Sequence, residues 1–444
     1  MSIKPLLSRF DITMIVISLI IGTGIFKTPG EVALRTGTPE LFFAAWIVGG
    51  IVTLCGALTF AEIGARYPTT GGFYKLFSYC YHPAFAFMIN WVAIIATTAS
   101  VAAVALIGAE YLNPLLLPQA LQNATGTKIT TTIMVLVVYF INLLGIKTSA
   151  RTQNLLTIFK VGMIILLCMA IFMSDGKANI TTVALPQGNA IASFGLALVA
   201  VFFTYTGYQQ TINFGGDVVD AKSNMPKGIF IGIAVVIAVY MAVNFAYYSV
   251  LGMGGLQQNT GLAAKMASVV FGDVGSKVTS VLMFVSVLAY VNVNIMSVPR
   301  MYYAMAEDGI LPAVFKNVNQ RTQTQVFGMS FFVATVLGIL LLVSSFGEVL
   351  NYAIFFECIG LSTAAIAIFI LRKRTRELDG TGIYTIKWYP LVPIVFIVVY
   401  WFVIISIFMA NPKAIMVCLA AFIAGLIIYY IVKPKQANAT LSSH

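Results

Sequence analysis

The sequence predicts an all-α polytopic membrane protein with twelve transmembrane helices, and three observations carry that prediction. The 444-residue chain is 59% hydrophobic and only 9% charged, with a mean hydropathy of +0.93, far outside the range of soluble domains. Apolar stretches of the roughly 20 residues that cross a bilayer recur along its whole length. Its basic residues alternate in density from one connection to the next, as the positive-inside bias requires.

Taken in order, the twelve expected spans are about 11–34, 41–65, 83–109, 130–147, 152–174, 190–214, 227–251, 276–299, 325–346, 349–371, 388–410 and 412–432. With the N-terminus in the cytoplasm, cytoplasmic segments hold 18 of the 26 lysines and arginines, external ones hold 6, and Lys27 and Lys160 lie within spans. An even number of spans returns the C-terminus to the cytoplasm, so the chain is expected to be multi-pass in a plasma membrane, the bacterial inner membrane. The formal charge of +11 is thus a topology signal, and "RKRTR" (372–376) is an anchor at the cytoplasmic face, not a nucleic-acid patch. Lys4 and Arg9 ahead of a short apolar run resemble a signal peptide, but apolar residues resume after Gly24 and removal of 1–24 would reverse the charge logic. The expectation is an uncleaved first span.

Several function classes are disfavoured by what is missing. The five cysteines are scattered without a CxxC, the two histidines (His82 and His444) make no cluster, and no GxxxxGK[ST] is present. Metal centres, triad chemistry and an ATP-driven motor are therefore not expected, nor any cofactor. No cysteine falls outside the apolar or cytoplasmic segments, so no disulfide-linked partner subunit is expected either. Three glycosylation-type triplets, at 123, 179 and 438, carry no weight. Of the longer connections, 67–82 reads as a cytoplasmic re-entry or short helix, 254–275 as an external loop carrying a helix, and 301–312 as a cytoplasmic amphipathic helix.

Two spans contradict themselves. "MIVISLIIGTGIFKTPGEV" (14–32) inserts Gly22-Thr23-Gly24 at mid-membrane, where two glycines weaken a helix by about 1 kcal/mol each. The sixth span runs apolar to Phe203 and is then interrupted by Thr204-Tyr205-Thr206-Gly207, with polar Gln209 and Gln210 following. Unwound backbone is tolerated at that depth only where it is buried in protein or lines a cavity. A glycine-interrupted pair at matching positions of two halves points to a transporter's substrate site. Free N–H groups at the start of one half-helix suit a carboxylate, and free C=O groups at the end of another suit an ammonium. The expected ligand is a small zwitterion, an amino acid.

At these residues the chain resembles the amino acid–polyamine–organocation superfamily, in its L-type amino acid transporter branch and bacterial relatives. "IIGTGIF" (20–26) is similar to the first-helix motif, with Thr23 where serine is usual, and "FFTYTGY" (202–208) to the sixth-helix motif. "PRMYYAMAEDGILP" (299–312) and "ILRKR" (370–374) with "WYPLVPIVFI" (388–397) resemble two further family segments. The resemblance implies a LeuT-type fold in one domain, 1–444: inverted five-helix repeats over about 11–174 and 190–371, discontinuous helices 1 and 6, and two extra helices over about 388–432. It also implies that the substrate carboxylate meets the amides of Thr23 and Gly24, and the ammonium the carbonyls of Ile20, Phe203 and Thr206. Ile21, Gly22, Tyr205 and Gly207 complete the expected site. The chain departs from the family at Gly216-Asp217, where Glu-Glu is usual, and in "TRELDGTGIY" after 374.

Lys160 lies eight residues into the fifth span, about 12 Å deep at about 1.5 Å per residue. A lysine there costs about 2.5–3.5 kcal/mol on insertion scales, so it should face the bundle interior and find a partner. By resemblance it matches the lysine that stands where sodium-coupled relatives bind a cation. The expectation is a coupling residue joining the first helix to the eighth, with Ser286 as a contact. A permanently charged lysine suits sodium-independent exchange; one that releases its proton suits proton-linked uptake. Glu357, about eight residues into the tenth span, is read as a gating group or a structural hydrogen-bonding one, and Lys27 as an outer-gate residue pairing with Glu31 four positions on. No unpaired acid is expected around Thr23, Phe203 and Tyr205, which favours neutral substrates.

The function expected is secondary active transport of small neutral L-amino acids by alternating access. A channel would need a filter ring. An intramembrane enzyme would need a nucleophile–base pair. A non-transporting sensor would bind ligand without moving it, and a polyamine or other organic amine carrier would need acidic recognition.

Overall fold

The computed structural model describes residues 3–173, 190–258, 261–342, 347–410 and 412–432. The connection expected between the fifth and sixth spans, the triplets at 179 and 438, and His444 lie outside the described residues.

Ser8 starts the first helix, α1 (Arg9–Ile20), with a reciprocal capping box: the Asp11 amide donates to Ser8 Oγ at 3.2 Å and the Ser8 amide to Asp11 Oδ2 at 2.8 Å, satisfying two otherwise orphaned donors. After the break come α2 (Thr28–Thr36), α3 (Pro39–Arg66), α4 (Gly72–Cys80), α5 (Pro83–Leu116), α6 (Ala124–Leu143) and α7 (Ile146–Cys168), with a single turn, α8, at Ala170–Met173. Next are α9 (Ala190–Tyr205), α10 (Ala221–Gln258), α11 (Leu262–Phe271) and α12 (Gly275–Glu307). Last come α13 (Val326–Leu342), α14 (Gly347–Arg374), α15 (Leu391–Ala410) and α16 (Pro412–Val432).

Among the described residues six helical stretches are long and apolar enough to cross a membrane: Pro39–Arg66, Pro83–Leu116, Ala124–Leu143, Ile146–Cys168, Ala221–Gln258 and Leu262–Glu307. Three shorter helices are also apolar. The expected first span does not reach that length because it is cut at its middle into α1 and α2. Helix ends follow caps more closely than apolar runs. The fourth span was expected from about 130, but the helix begins at Ala124 because Asn123 Oδ1 accepts from the Gly126 amide at 2.9 Å. Residues 67–82 do contain a short helix, α4, and 254–275 carries α11.

The reading of 301–312 as an amphipathic helix is corrected. Met301–Ala306 continue α12 without interruption and every one of them is buried. Neighbours enclose this stretch on all sides, so no polar face is left to water.

α12 packs against α5 and α7, α10 lies along α1 and α3, and α9 rests on α2 and α3. The α1–α10 approach is close enough that a Cβ on Gly232 would stand 2.7 Å from Val16, the small-residue contact that lets membrane helices gain dispersion energy without a hydrophobic drive between them.

The end of the bundle that carries the N-terminus is tied by buried ion pairs. Glu62, fully enclosed, accepts from Arg66 Nε at 2.6 Å, from Arg372 at 2.7 Å and from the Ile386 amide at 2.8 Å. Arg372 lies flat over Tyr389 at 3.7 Å. Arg300 grips Asp217 with two bonds, 2.7 and 2.9 Å, and covers the Phe214 ring at 4.5 Å. The Leu6 and Leu7 amides donate to the Asp217 carbonyl at 2.7 and 2.8 Å, strapping the N-terminal segment over this pair. On the rim, Arg66 donates a hydrogen bond to exposed Asp379 and holds its carboxyl below the ordinary carboxylate range. Burial pulls the Lys75 ammonium down, but its bonds to Asp308 and Glu307 outweigh that and leave it raised.

Candidate functional site

The two broken helices face one another at a cavity of about 250 Å³. α1 ends at Ile20; Ile21–Thr23 are non-helical, Gly24–Phe26 form a 3-10 turn, and α2 resumes at Thr28. α9 holds its helix to Tyr205, two residues beyond the expected break, because Thr204 Oγ1 stays bonded to the Ala200 carbonyl at 3.0 Å and to Thr28 Oγ1 at 2.8 Å. Gly207 then turns the chain at φ +118°, and the two turns beyond it, Tyr208–Asn213 and Gly215–Asp217, are 3-10 rather than α.

The breaks touch. A Cβ on Gly207 would lie 2.3 Å from the Leu19 carbonyl oxygen, so only glycine allows both the backbone angle and the approach. Gly207→Ala is therefore expected to reduce transport at least about tenfold, since strain of about 1–3 kcal/mol adds to the clash. Initial uptake rates in proteoliposomes check it.

Of the expected residues, Ile20, Gly22, Thr23, Gly24, Phe203, Thr206 and Gly207 line the cavity. Among the described residues none accepts from the amides of Gly22, Thr23 or Gly24, which leaves three backbone donors without a partner in residues that line the cavity. The expected carbonyls are less free. Tyr240 Oη lies 3.1 Å from both the Ile20 and Thr204 oxygens, tying the end of α1 to that of α9. The Phe203 carbonyl already accepts from Thr206 Oγ1 at 2.8 Å and its amide at 3.3 Å.

Two of the expected site residues stand outside the cavity wall. Tyr205 is not in the cavity wall; its ring is buried behind it, 5.9 Å from Trp46 and 5.0 Å from Tyr240, because α9 is still helical there and turns that side chain toward α3 and α10. Ile21 is likewise enclosed, and its carbonyl accepts from Lys160 Nζ at 2.6 Å.

Lys160 is fully buried, as its depth required, and also reaches Ser18 Oγ at 3.3 Å. Both partners belong to the first broken helix. Ser286 lines the cavity but is not a Lys160 contact, because its hydroxyl bonds the Leu282 carbonyl of its own helix at 2.8 Å. Lys27 and Glu31 are both exposed, and no ion pair joins them. Lys27 is the cap residue before α2, at φ −118°, so the helical i,i+4 spacing does not run from it to Glu31.

Glu357 does line the cavity, so the expectation of no unpaired acid there is also corrected. Its Oε1 accepts from Gln209 Nε2 at 2.5 Å, and Gln209 Oε1 accepts from the Gly207 amide at 2.8 Å. Tyr240 and Gln209 were missed as site residues. Tyr240 reads as one more aromatic in an apolar run, whereas two adjacent glutamines in a membrane span were a signal available for Gln209.

Apolar helices long enough to span a membrane, with two helices broken against each other at a cavity where backbone amides lack acceptors among the described residues, fit a multi-pass membrane transporter. Comparison with known proteins makes this specific. A family model described as amino acid permease matches residues 7–435. The serine/threonine exchanger SteT of Bacillus subtilis (strain 168) is 32% identical over 438 residues, covering 97% of both chains. The human large neutral amino acids transporter small subunit 2 is 26% identical over 433 residues, 94% of this chain and 78% of its own. The human Asc-type amino acid transporter 1 is 23% identical over 442 residues, 97% of this chain and 82% of its own. The chain belongs to the amino acid permease family.

Proposed function

We propose that this permease exchanges small neutral L-amino acids across the plasma membrane by alternating access, without sodium, its N- and C-termini in the cytoplasm. In this reading the twelve expected spans form one domain of LeuT type, with inverted repeats over about 11–174 and 190–371 and two further helices over about 388–432. The free amides of Gly22, Thr23 and Gly24 take the substrate carboxylate. The ammonium goes to the Thr206 carbonyl and to the remaining lone pair on Ile20. The relative named as a serine/threonine exchanger supports exchange and a small substrate. The chain is proposed to work without a disulfide-linked partner subunit.

One observation carries the sodium independence: the buried ammonium of Lys160 lies 2.6 Å from the Ile21 carbonyl, in the first break. A fixed cation there leaves the unwound carbonyl satisfied with no ion to recruit, and it biases the two access states only through that contact. Lys160 also stands apart from the cavity wall, so it acts on the helix and not on the ligand.

Counterflow tests the reading: liposomes are loaded with unlabelled threonine or alanine and uptake of labelled amino acid is followed in choline buffer. Exchange is expected at an unchanged rate when sodium is absent. A rate that collapses without sodium would reject the role of Lys160. Uptake that needs an inward proton gradient and no internal amino acid would replace exchange with proton-linked uptake.

A further inference from the structure

Glu357 is an intramembrane carboxylate that the transport reading does not use. Among the described residues that line the cavity it is the only carboxylate, and no lysine or arginine joins it there. Its place is fixed by a short chain of bonds. The Gly207 amide, freed by the break in the sixth helix, must find an acceptor; Gln209 Oε1 takes it at 2.8 Å, which turns the Gln209 Nε2 hydrogens onto Glu357 Oε1 at 2.5 Å. The orientation of the Gln209 amide follows from that constraint. Glu357 Oε2 makes no hydrogen bond with any described residue and is not among the buried polar atoms shut away from solvent. One oxygen is thus held by the broken helix, and the other is left without a described partner on a residue that lines the cavity.

We propose that Glu357, held by Gln209, is the subsite for the substrate side chain and selects neutral amino acids whose side chain carries a hydroxyl. The inference rests on the reading of the cavity as an amino acid site. The Glu357 Oε2 lone pairs accept the hydroxyl hydrogen, a charge-assisted bond that an alkyl side chain cannot make. A site built to bond a hydroxyl rejects the analogue that lacks it, because its own polar group is then left without a partner. Charge decides between a hydroxyl and an amine. Lys160 behind the first break and Glu357 in the wall add no net charge whether both are ionised or both neutral, and a zwitterionic substrate keeps the sum at zero. A cationic side chain would leave one uncompensated positive charge at mid-membrane, where ionised groups are costly. Gln209, which holds Glu357, is two residues past Gly207, and all three line the one cavity, which suits a short side chain.

The experiment is counterflow with isosteric pairs, threonine against valine and serine against alanine, using the full-length protein in proteoliposomes. The wild-type protein should carry threonine over valine by about tenfold or more, the value of a charge-assisted bond. Glu357→Leu should bring that ratio to within about threefold, and the isosteric Glu357→Gln, with a neutral acceptor, should fall between. Where the leucine variant fails to assemble, the glutamine variant carries the test: an unchanged threonine-to-valine ratio overturns the subsite. A wild-type protein that carries valine and threonine alike overturns it too, as does one that prefers lysine or a polyamine. A wild-type protein that carries no amino acid removes the transport reading itself, and the subsite with it.

Discussion

Replacing Lys160 with methionine is expected to cut exchange by about fivefold or more while leaving thermal stability unchanged or raised. Methionine matches the length of the lysine stem but cannot donate. The Ile21 carbonyl, 2.6 Å from Lys160 Nζ, and the Ser18 hydroxyl at 3.3 Å then lose their donor, and a buried acceptor without one costs about 1–3 kcal/mol. That cost falls on the first break alone and shifts the balance of access states about 5- to 150-fold. Against it stands the removal of a charge whose burial costs about 2.5–3.5 kcal/mol on insertion scales. The signs therefore differ: transport falls and stability holds. Uptake in proteoliposomes, measured beside thermal unfolding in detergent, separates this from a purely structural lysine, for which both would fall together.

Asp217→Ala is expected to destabilise the protein by about 3–5 kcal/mol, the loss typical when one partner of a buried ion pair is removed. Arg300 and Asp217 are both buried, at 3% and 0% exposure, so water cannot take over the solvation of the orphaned guanidinium. The Phe214 face and the Met296 carbonyl remain to Arg300, and they do not neutralise it. The damage should spread to the N-terminal segment, whose Leu6 and Leu7 amides hold the Asp217 carbonyl. Removing the charge on the other side as well, with Arg300→Met, should recover most of the loss, because the desolvation penalty goes with it. Equilibrium unfolding of the two single variants and the double variant measures this. A double variant as unstable as Asp217→Ala would show that backbone strapping, not charge burial, sets the stability of this end.

Much of the site was legible because its physics is local. Gly22, Gly24 and Gly207 announced weak helix at a depth where backbone must be satisfied, and Lys160 announced a partner by being too deep for water. What failed was whatever needed a partner's position. Among the described residues Lys160 bonds Ser18 of α1 and Ile21 just past its end, Ser286 turns back on its own helix, and Tyr205 points behind the wall because the break falls at Thr206 and not Thr204. The Lys27–Glu31 pair failed because Lys27 caps α2 from outside the helix, where the i,i+4 spacing no longer applies. Glu357 was recognised as an intramembrane acid, but nothing in "NYAIFFECIG" could tell that Gln209, 148 positions earlier, would present its amide to it.

By itself the sequence determined that this chain lives among apolar helices, where its helices break, and which buried charge must be paired, because hydrophobic period, glycine weakness and the cost of desolvation are properties of a segment and its depth. Only the tertiary structure decided which groups those breaks and charges meet. Hydrogen bonds at mid-membrane join helices far apart in the chain, and their geometry depends on helix rotation and crossing that no single segment encodes.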